Sequence, residues 1–301
     1  MRPMALRMRA EVVPLPARRS GHRALLAALR PRQWSKNLLL FAGLVFAAKV
    51  GDPLRWAEAC AAFVVYCAAS SAAYLVNDVV DAELDRAHPL KRLRPVARGE
   101  LSRRAALRAA LALAVGALAL VAPLGLDSVA FLVAFLALQG AYTFALKHFV
   151  LVDVLTIAAL FVIRAAAGAV AVDVPISPWL LLVTALLALF LALAKRRSEL
   201  AVPGSARPVL EGYSLPLVDQ LISVTVAATI AAYAIYTFTA HSPALMATIP
   251  FVVFGLFRYL LLVHRDDLGE EPENVLIGDR PLVLAVAGWA VTAALILVLT
   301  S

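Results

Sequence analysis

Nine long apolar stretches, separated by shorter polar segments, dominate the pattern of this 301-residue chain. Most of them approach the length of about 20 residues that an α-helix needs to cross a lipid bilayer. The first stretch is the weakest, because its uncharged centre covers only residues 38–48. The pattern predicts an all-α polytopic membrane protein with nine transmembrane helices, at roughly residues 34–50, 56–76, 105–123, 127–146, 150–172, 178–194, 216–239, 243–263 and 281–300.

The distribution of basic residues predicts how these helices are oriented in the membrane. If the N-terminus lies in the cytoplasm, all but three of the 28 Lys and Arg residues fall on the cytoplasmic side, the exceptions being Lys49, Arg55 and Arg164. This bias satisfies the positive-inside rule and predicts an outward-facing C-terminus. The three longest connections, residues 77–104, 195–215 and 264–280, then face the cytoplasm. We expect the chemistry on that side.

Two parts of the chain differ in character. Residues 1–30 carry Arg and Pro without an apolar run long enough for a signal peptide, so we predict a basic cytoplasmic tail that leads to an interfacial segment. Residues 31–301 contain all nine apolar stretches and form the predicted transmembrane catalytic domain.

Composition agrees with a membrane setting. Hydrophobic residues make up 62% of the chain and charged residues 16%, and the mean hydropathy is +0.85, which excludes a soluble globular domain. The net charge of +8 lies mainly on the inner face, where anionic lipid headgroups already explain much of it. We therefore expect the bilayer as a partner and no nucleic acid.

Acidic side chains crowd the cytoplasmic end of the second apolar stretch. The sequence there reads Asn77-Asp78-Val-Val-Asp81-Ala-Glu-Leu-Asp85. On one helix, at about 100° per residue, Asn77, Asp78, Asp81 and Asp85 share roughly one quadrant. So many carboxylates at the rim of a low-dielectric region require a cation, and ligands that are all oxygen favour Mg²⁺. Because Mg²⁺ commonly shares its coordination with substrate phosphates, the motif predicts a phosphorylated substrate.

This acidic motif resembles the first aspartate motif of the UbiA superfamily of intramembrane prenyltransferases, whose fold also has nine helices. Further segments are similar to the decaprenyl-phosphate phosphoribosyltransferase branch of that superfamily. They are Leu29-Arg-Pro-Arg-Gln-Trp-Ser-Lys-Asn37, His88-Pro-x-Lys91-x-x-Arg94-Pro95, Tyr142 with Lys147, and the run from Arg164-Ala-Ala-Ala-Gly168 to Pro175-Ile-Ser-Pro178-Trp179. The resemblance covers most of the chain from about residue 25.

The resemblance implies an Mg²⁺-dependent phosphoribosyltransferase of a bacterial plasma membrane. Its donor would be phosphoribosyl diphosphate, its acceptor a polyprenyl phosphate, and its product a precursor of cell-envelope arabinan. The implied catalytic residues are Asp78, Asp81 and Asp85, and the implied metal ligands are Asn77, Asp78, Asp81 and Asp85. The implied substrate-binding residues are Lys36, Asn37, Lys91, Arg94, Tyr142, Lys147, Arg164, Lys195, Arg196 and Glu199.

One departure from the parent family pattern favours this branch. Aromatic prenyltransferases of the superfamily carry a second acidic motif after the sixth helix, where this chain reads Lys195-Arg196-Arg197-Ser-Glu199. A basic cluster suits a donor with an additional 5′-phosphate, which adds about −1.5 to −2 charge at neutral pH. Phosphoribosyl diphosphate has such a group and a prenyl diphosphate has none.

Several basic residues also have a simpler interpretation. Lys147 and Lys195 either contact the donor phosphates or anchor helix ends at the interface, and Tyr142 either orients a phosphate or belongs to the aromatic belt. Arg164 falls well inside the fifth predicted helix, where a charge usually faces a cavity or a partner. Either it meets a carboxylate from another helix or it guards the lipid phosphate.

Two other functions remain open at this stage. Prenylation of a quinone or haem precursor is permitted by the first acidic motif, although the missing second motif argues against it. A secondary transporter also contains intramembrane charges, but it would place them near the bilayer midplane rather than at one edge. The small residues of the Ala-rich helices allow packing within one protomer or in a homo-oligomer, so the oligomeric state is not determined.

Overall fold

All regular elements in the described part of the chain are helices, which confirms the predicted all-α class. The structure is a computed structural model that describes residues 17–46, 49, 51–88, 91–201, 208–239, 243–265, 275 and 278–300. Its α-helices are α1 (Gly21–Leu29), α2 (Ala42–Phe46), α3 (Pro53–Val80), α4 (Ala82–Ala87), α5 (Arg103–Val121), α6 (Leu126–Phe144), α7 (Val152–Ala171), α8 (Pro178–Ala201), α9 (Leu215–Thr239), α10 (Ile249–Arg265) and α11 (Arg280–Thr300). Short 3₁₀ helices cover Pro31–Phe41, Lys91–Leu93, Ala122–Leu124, Leu146–His148, Pro208–Gly212 and Pro243–Thr248.

Seven stretches of the described residues are long and apolar enough to cross a membrane. They are Pro53–Val80, Arg103–Leu124, Leu126–Phe144, Val152–Ala171, Pro178–Ala201, Leu215–Thr239 and Pro243–Arg265. A shorter apolar helix covers Arg280–Ile296. The first predicted span is instead a 3₁₀ helix followed by the five-residue α2, because polar residues occupy much of 31–37. The expected count of nine is therefore not confirmed.

Helix α3 carries the first part of the acidic motif to the membrane edge. Asp52 caps its N-terminus by accepting a hydrogen bond from the backbone N–H of Leu54 at 2.9 Å, and Pro53 occupies the first helical position. The helix ends at Val80, Asp81 lies in a turn, and Asp85 belongs to the separate α4. The expectation of one continuous helix through the motif was wrong, since the helix is interrupted at Asp81.

Helix α7 packs closely against the N-terminal 3₁₀ helix. A Cβ atom added at Gly168 would lie 2.1 Å from the carbonyl oxygen of Leu40, and one added at Gly43 would lie 2.7 Å from the Cα atom of Ala169. Only glycine permits these approaches. They hold the segment that contains Lys36 and Asn37 against the middle of the bundle.

Two large apolar clusters surround this contact. The first joins α3, α5, α6 and α7 around Tyr66, Leu132 and Phe135. The second joins α7 to the later helices around Phe190 and Tyr259, whose rings meet edge to face with centroids 5.3 Å apart. Since α7 contributes to both clusters, residues on it are fixed relative to both halves of the bundle.

Candidate active site

An open cavity lies where α3, α4, residues 91–94 and the 3₁₀ helix Leu146–His148 meet. Its atom-free volume, which includes space open to solvent, is about 590 Å³. The lining residues are Asn77, Asp81, Leu84, Asp85, His88, Lys91, Arg94, Lys147, His148 and Pro208. Six of these were predicted as site residues, and the fold gathers them from three separate segments. His88 also accepts a hydrogen bond from the Lys91 backbone N–H at 3.3 Å, so it shapes the loop beside the cavity.

Basic partners neutralise the carboxylates of the acidic motif. Lys147 Nζ lies 2.5 Å from Asp81 Oδ1, and the Lys147 side chain is only 6% exposed although the cavity reaches it. Arg94 Nη1 lies 2.7 Å from Asp85 Oδ2 and 3.4 Å from Asp78 Oδ1. Together with an ion pair from Arg30 to Asp78, three carboxylates face three cations. The formal charge of this cluster is zero, so it can accept a metal cation and an anionic ligand together without a large net charge.

Arg30 joins the site although it was not among the predicted site residues. It follows α1 in the left-handed region, with φ 54°, directly before Pro31, and donates to Asp78 Oδ1. Its guanidinium also lies 4.9 Å from the centroid of the Tyr74 ring, one helical turn before Asp78. Arg30 and Asp78 are 48 residues apart. Helical periodicity relates neighbours within one helix, so it could not have paired them.

The oxygen donors of the motif fit a hard divalent cation by their chemistry. Asn77, Asp81 and Asp85 line the same cavity, and the second carboxylate oxygen of Asp78 is buried without a hydrogen-bond partner. Within the described ranges, however, no three His, Cys, Asp or Glu side chains are already arranged to hold a metal. The physical reason is that each carboxylate faces its own basic partner. A divalent cation therefore has to compete with Arg30, Arg94 and Lys147 for these oxygens.

Glu83 does not belong to this cluster. It is largely exposed and accepts hydrogen bonds from Arg86, at 2.5 Å, and from Arg103. The hydrogen bond from Arg86 lowers the pKa of the Glu83 carboxyl below its usual range. Its role is to tie α4 to the start of α5, outside the cavity.

Arg164 is buried in the bundle and contacts an amide instead of a carboxylate. Its Nε donates to Asn37 Oδ1 at 2.9 Å and its Nη1 donates to the Leu160 carbonyl oxygen at 3.1 Å. The guanidinium also lies 4.7 Å and 5.2 Å from the ring centroids of Phe135 and Phe161. No carboxylate of the described residues forms an ion pair with Arg164, so that expected alternative was wrong. Neither Arg164 nor Asn37 lines the cavity, and Lys36 bonds to the nearby Gln33.

A second ionic cluster is sealed between α7 and α8. Arg196 Nε donates to Asp153 Oδ2 at 2.6 Å, and Arg196 also pairs with Glu199. The Tyr213 hydroxyl donates to Asp153 Oδ1 at 2.6 Å and accepts the Leu151 N–H at 2.8 Å. Burial first, and the bond to Asp153 second, raise the pKa of Tyr213 above its usual range.

Besides Lys36, Asn37 and Arg164, four more predicted substrate-binding residues do not line the cavity. Arg196 and Glu199 are buried in the sealed cluster, while Tyr142 and Lys195 are half-buried and absent from the lining. Arg197, the remaining cation of that run, bonds to Asp219 at 2.8 Å and to the Val263 carbonyl oxygen at 3.1 Å. The basic run of the sequence is thus largely neutralised by carboxylates from other helices.

Known proteins are similar to this chain in sequence and in fold. A family model described as the UbiA prenyltransferase family matches residues 38–277. A decaprenyl-phosphate phosphoribosyltransferase from Mycobacterium tuberculosis is 36% identical over 280 residues, which cover 89% of this chain and 92% of that protein. A protein of the same name from Mycolicibacterium smegmatis is 35% identical over 286 residues, which cover 88% and 89%. The solved structure of a UbiA homolog from Archaeoglobus fulgidus bound to GPP and Mg²⁺ superposes with a TM-score of 0.72 at 18% identity, covering 91% of this chain and 99% of that one.

Proposed function

Because the chain belongs to the UbiA prenyltransferase family, we propose that it is a membrane transferase that moves the 5-phosphoribosyl group from phosphoribosyl diphosphate to a polyprenyl phosphate. Diphosphate is the leaving group. The choice of donor and acceptor follows the relatives from Mycobacterium tuberculosis and Mycolicibacterium smegmatis, both named decaprenyl-phosphate phosphoribosyltransferase. The Archaeoglobus neighbour shares less than a quarter of its residues with this chain and supports the fold only.

The observation that carries this proposal is the mixed lining of the cavity. Asn77, Asp81 and Asp85 offer oxygen ligands, while Lys91, Arg94 and Lys147 offer N–H donors to the same space. A polyphosphate that binds together with a divalent cation needs both kinds of group, because its oxygens contact the metal and the basic side chains at once. A neutral or purely apolar substrate would use neither.

The basic side chains that can bind a donor with three phosphate groups are not those of the basic run that the sequence indicated. The basic run at 195–197 is neutralised by Asp153, Glu199 and Asp219. The cavity instead draws its basic side chains from the 91–94 segment and from the 3₁₀ helix Leu146–His148. We assign Lys91, Arg94 and Lys147 to the donor phosphates on this ground.

Magnesium, when bound by Asn77, Asp78, Asp81 and Asp85, would neutralise charge that develops on the departing diphosphate. The protein's own residues would do the rest. Lys91, Arg94 and Lys147 hold the donor so that its anomeric carbon faces the acceptor, and this positioning supplies most of the rate. The nucleophile is a phosphate oxygen that is already ionised, so no side chain has to remove a proton from it. One direct displacement of this kind inverts the configuration at the sugar carbon.

The acceptor approaches from the bilayer. The cavity opens beside the end of α3, the helix whose apolar length crosses the membrane, so a lipid headgroup at the interface can reach it while its chain stays among acyl chains. The excess of Lys and Arg on the connecting segments assigns this edge, and the N-terminus, to the cytoplasm. Soluble phosphoribosyl diphosphate is then available on the same side.

A transfer assay with purified protein in vesicles tests the proposal. The protein is incubated with ribose-labelled phosphoribosyl diphosphate, Mg²⁺ and polyprenyl phosphate, and label is measured in the organic phase. We expect label to enter the lipid only when the acceptor and a divalent cation are both present. Transfer from a prenyl diphosphate to an aromatic acceptor, with no transfer of ribose label, would contradict the proposal, as would uptake of labelled solute without any chemical conversion.

The stereochemistry of the product tests the mechanism separately. With a donor of known anomeric configuration, nuclear magnetic resonance of the lipid product should show the inverted configuration. Retention would require a covalent intermediate or a second displacement, and the single-displacement mechanism would then be wrong.

A further inference from the structure

Residues 17–30, the described part of the segment before the first apolar stretch, contact the 91–100 loop and the acidic motif. Arg19 Nη1 donates to the Leu93 carbonyl oxygen and to Glu100 Oε2, both at 3.2 Å, and the Arg19 backbone N–H donates to Glu100 Oε1 at 3.2 Å. Arg19 and Glu100 are 81 residues apart in the chain. At its other end the same segment makes the ion pair from Arg30 to Asp78.

Glu100 is an unusual residue to find in a surface connection, because its side chain is completely buried. A buried carboxylate is costly unless donors surround it. Here the hydrogen-bond donors are the backbone N–H and the guanidinium of Arg19. Arg98 adds an ion pair, with its Nη1 3.0 Å from Oε1. Arg98 belongs to the same connection as Glu100, so Arg19 provides the contact that comes from outside.

The part of the chain that Arg19 bridges is the 91–100 loop, which supplies cavity residues. Lys91 and Arg94 line the cavity from this loop, and Leu93, whose carbonyl oxygen Arg19 holds, lies between them. The loop consists of a single 3₁₀ turn followed by hydrogen-bonded turns, and Gly99 has φ 73°. Such a segment has little regular structure of its own to fix it, so contacts from outside the loop help to hold Lys91 and Arg94 in place. Arg19 contacts Leu93 and Glu100, and Arg86 Nε donates to the Ala97 carbonyl oxygen at 3.1 Å.

We propose that Arg19 and Glu100 are positioning residues for donor binding: their contact closes the 91–100 loop and thereby fixes Lys91 and Arg94 at the cavity. Arg19 lines no part of the cavity, so it acts through the loop and touches neither substrate. The role in donor binding rests on the proposed function, whereas the closure of the loop does not. The N-terminal segment from residue 17 is accordingly part of the catalytic unit and not a separate tail.

Hydrogen exchange tests the closure of the loop without any use of activity. Full-length wild-type protein in lipid nanodiscs is compared with Arg19→Gln, Glu100→Gln, the double variant, and Arg18→Gln as the matched control, because Arg18 is an exposed neighbour of Arg19. In the structure the amides of Arg94, Arg98 and Glu100 donate to carbonyls within the loop. We expect these amides to exchange faster in all variants that alter Arg19 or Glu100, and at the wild-type rate in Arg18→Gln. Unchanged exchange in Arg19→Gln would overturn the proposal.

Steady-state kinetics with the same set test the consequence for the donor. A displacement of phosphate-binding side chains by about 1 Å can reduce catalytic efficiency by about 100-fold, so we expect the KM for phosphoribosyl diphosphate to rise by about 10-fold to 100-fold in Arg19→Gln. The KM for polyprenyl phosphate should stay unchanged. Since both residues act through one contact, the double variant should lose no more than the more affected single variant, whereas independent roles would give multiplied losses.

The outcomes separate this inference from the function on which it rests. If the wild type transfers no ribose, the proposed function fails, while the exchange data still decide whether Arg19 closes the loop. If the loop exchanges faster in Arg19→Gln but the donor KM is unchanged, the positioning role is wrong. An equal rise in the KM of both substrates would also overturn it, because that pattern indicates general damage to the fold.

Discussion

Two clusters of carboxylates and guanidinium or ammonium groups lie at the same end of the bundle, and they differ in their access to open space. The cavity cluster consists of Asp78, Asp81 and Asp85 with Arg30, Arg94 and Lys147, and four of these six residues line an open cavity. The sealed cluster consists of Asp153, Arg196, Glu199 and Tyr213, and the Arg196 and Asp153 side chains are 1% and 0% exposed. The charged groups are paired in both clusters, but only in the cavity cluster can a ligand take the place of a partner.

This difference in access distinguishes a binding site from a cluster that only stabilises the packing of the helices. In the sealed cluster the charged groups pair with one another across α7, α8 and the segment before α9. Removal of one of them leaves its partner's charge buried with no counter-charge to replace it. In the cavity cluster, Arg30 and Arg94 are each about one quarter exposed, and solvent or a phosphate can take the place of a carboxylate. The number of charged residues in a sequence window therefore says less about a site than the space around them.

The largest effect is expected from breaking the sealed cluster. Arg196→Met leaves Asp153 and Glu199 buried without their shared cation, which should lower the free energy of unfolding by about 3–5 kcal/mol. Unfolding of the purified protein in mixed micelles of rising denaturing-detergent content measures this value. Transfer activity should fall only in proportion to the fraction of folded protein.

Arg197→Met is the matched control for that variant. Arg197 is the next residue, and its ion pair with Asp219 is partly exposed, so its loss should cost no more than about 1 kcal/mol. Should Arg196→Met be as stable as the wild type and yet lose transfer per folded molecule, the sealed cluster would belong to the active site and the distinction drawn here would fail.

The cavity cluster should show the opposite behaviour. Asp81→Asn keeps the size of the side chain but removes the charge that faces Lys147 and the proposed metal. Loss of an outer-shell partner of a metal site typically costs 10-fold to 100-fold, and we expect loss of a direct ligand to reduce transfer by more than about 100-fold. Thermal unfolding should change less than in Arg196→Met. Asp81→Asn leaves the Lys147 ammonium without its counter-charge, but the cavity reaches both side chains, so solvent can hydrate them.

Activity in Asp81→Asn within a few-fold of the wild type would show that this carboxylate is not a ligand. Asp127→Asn provides a control on the same protein, since Asp127 lies at the start of α6 and does not line the cavity. Its transfer rate should equal that of the wild type.

The sequence predicted the members of the cavity cluster better than those of the sealed one, and the reason is physical. Asn77, Asp81 and Asp85 follow one another at helical spacing, so local geometry already places them together. Arg30 and Asp78 meet across 48 residues, and Arg164 and Asn37 across 127, through packing that periodicity does not encode. Membrane helices make this harder, because an apolar helix surface has no strong preference for one neighbour over another.

The misplacement of Arg196 shows a second limit of sequence reasoning. Lys195, Arg196 and Arg197 are consecutive, and on a helix successive residues point about 100° apart, so they cannot share one environment. The sequence alone does not say which of the three turns inward. In the structure Arg196 is buried, Arg197 reaches Asp219, and Lys195 is half-buried. By contrast, the all-α class and most of the membrane spans followed from composition and length alone.

A smaller effect is expected where α7 meets the N-terminal 3₁₀ helix. Gly168→Ala places a methyl group 2.1 Å from the Leu40 carbonyl oxygen, so the backbone has to move. Overpacking of this kind costs about 1–3 kcal/mol, measured as a loss of unfolding free energy. Gly116→Ala is the control, because a Cβ there meets nothing within 4 Å. Equal stability of the two variants would mean that the close contact does not hold the segment in place.

The smallest effect concerns an ion pair that belongs to neither cluster. Arg258 donates to both carboxylate oxygens of Asp279, at 3.1 Å and 2.7 Å, and the Leu282 N–H donates to Oδ1 at 2.9 Å. The hydrogen bonds from Arg258 lower the pKa of Asp279 in the folded protein. Folding therefore favours the ionised carboxylate. The stability that this contributes is fully present above the pKa of the unfolded state, about 3.9, and is lost as the pH falls through the lower pKa of the folded state. The melting temperature of wild-type protein should exceed that of Asp279→Asn at pH 7 by a small margin that shrinks in acid, with equal transfer rates at pH 7. A margin that stays constant down to the acid limit would show that Asp279 contributes through its shape and not through its charge, and a loss of transfer would place this pair with the cavity cluster.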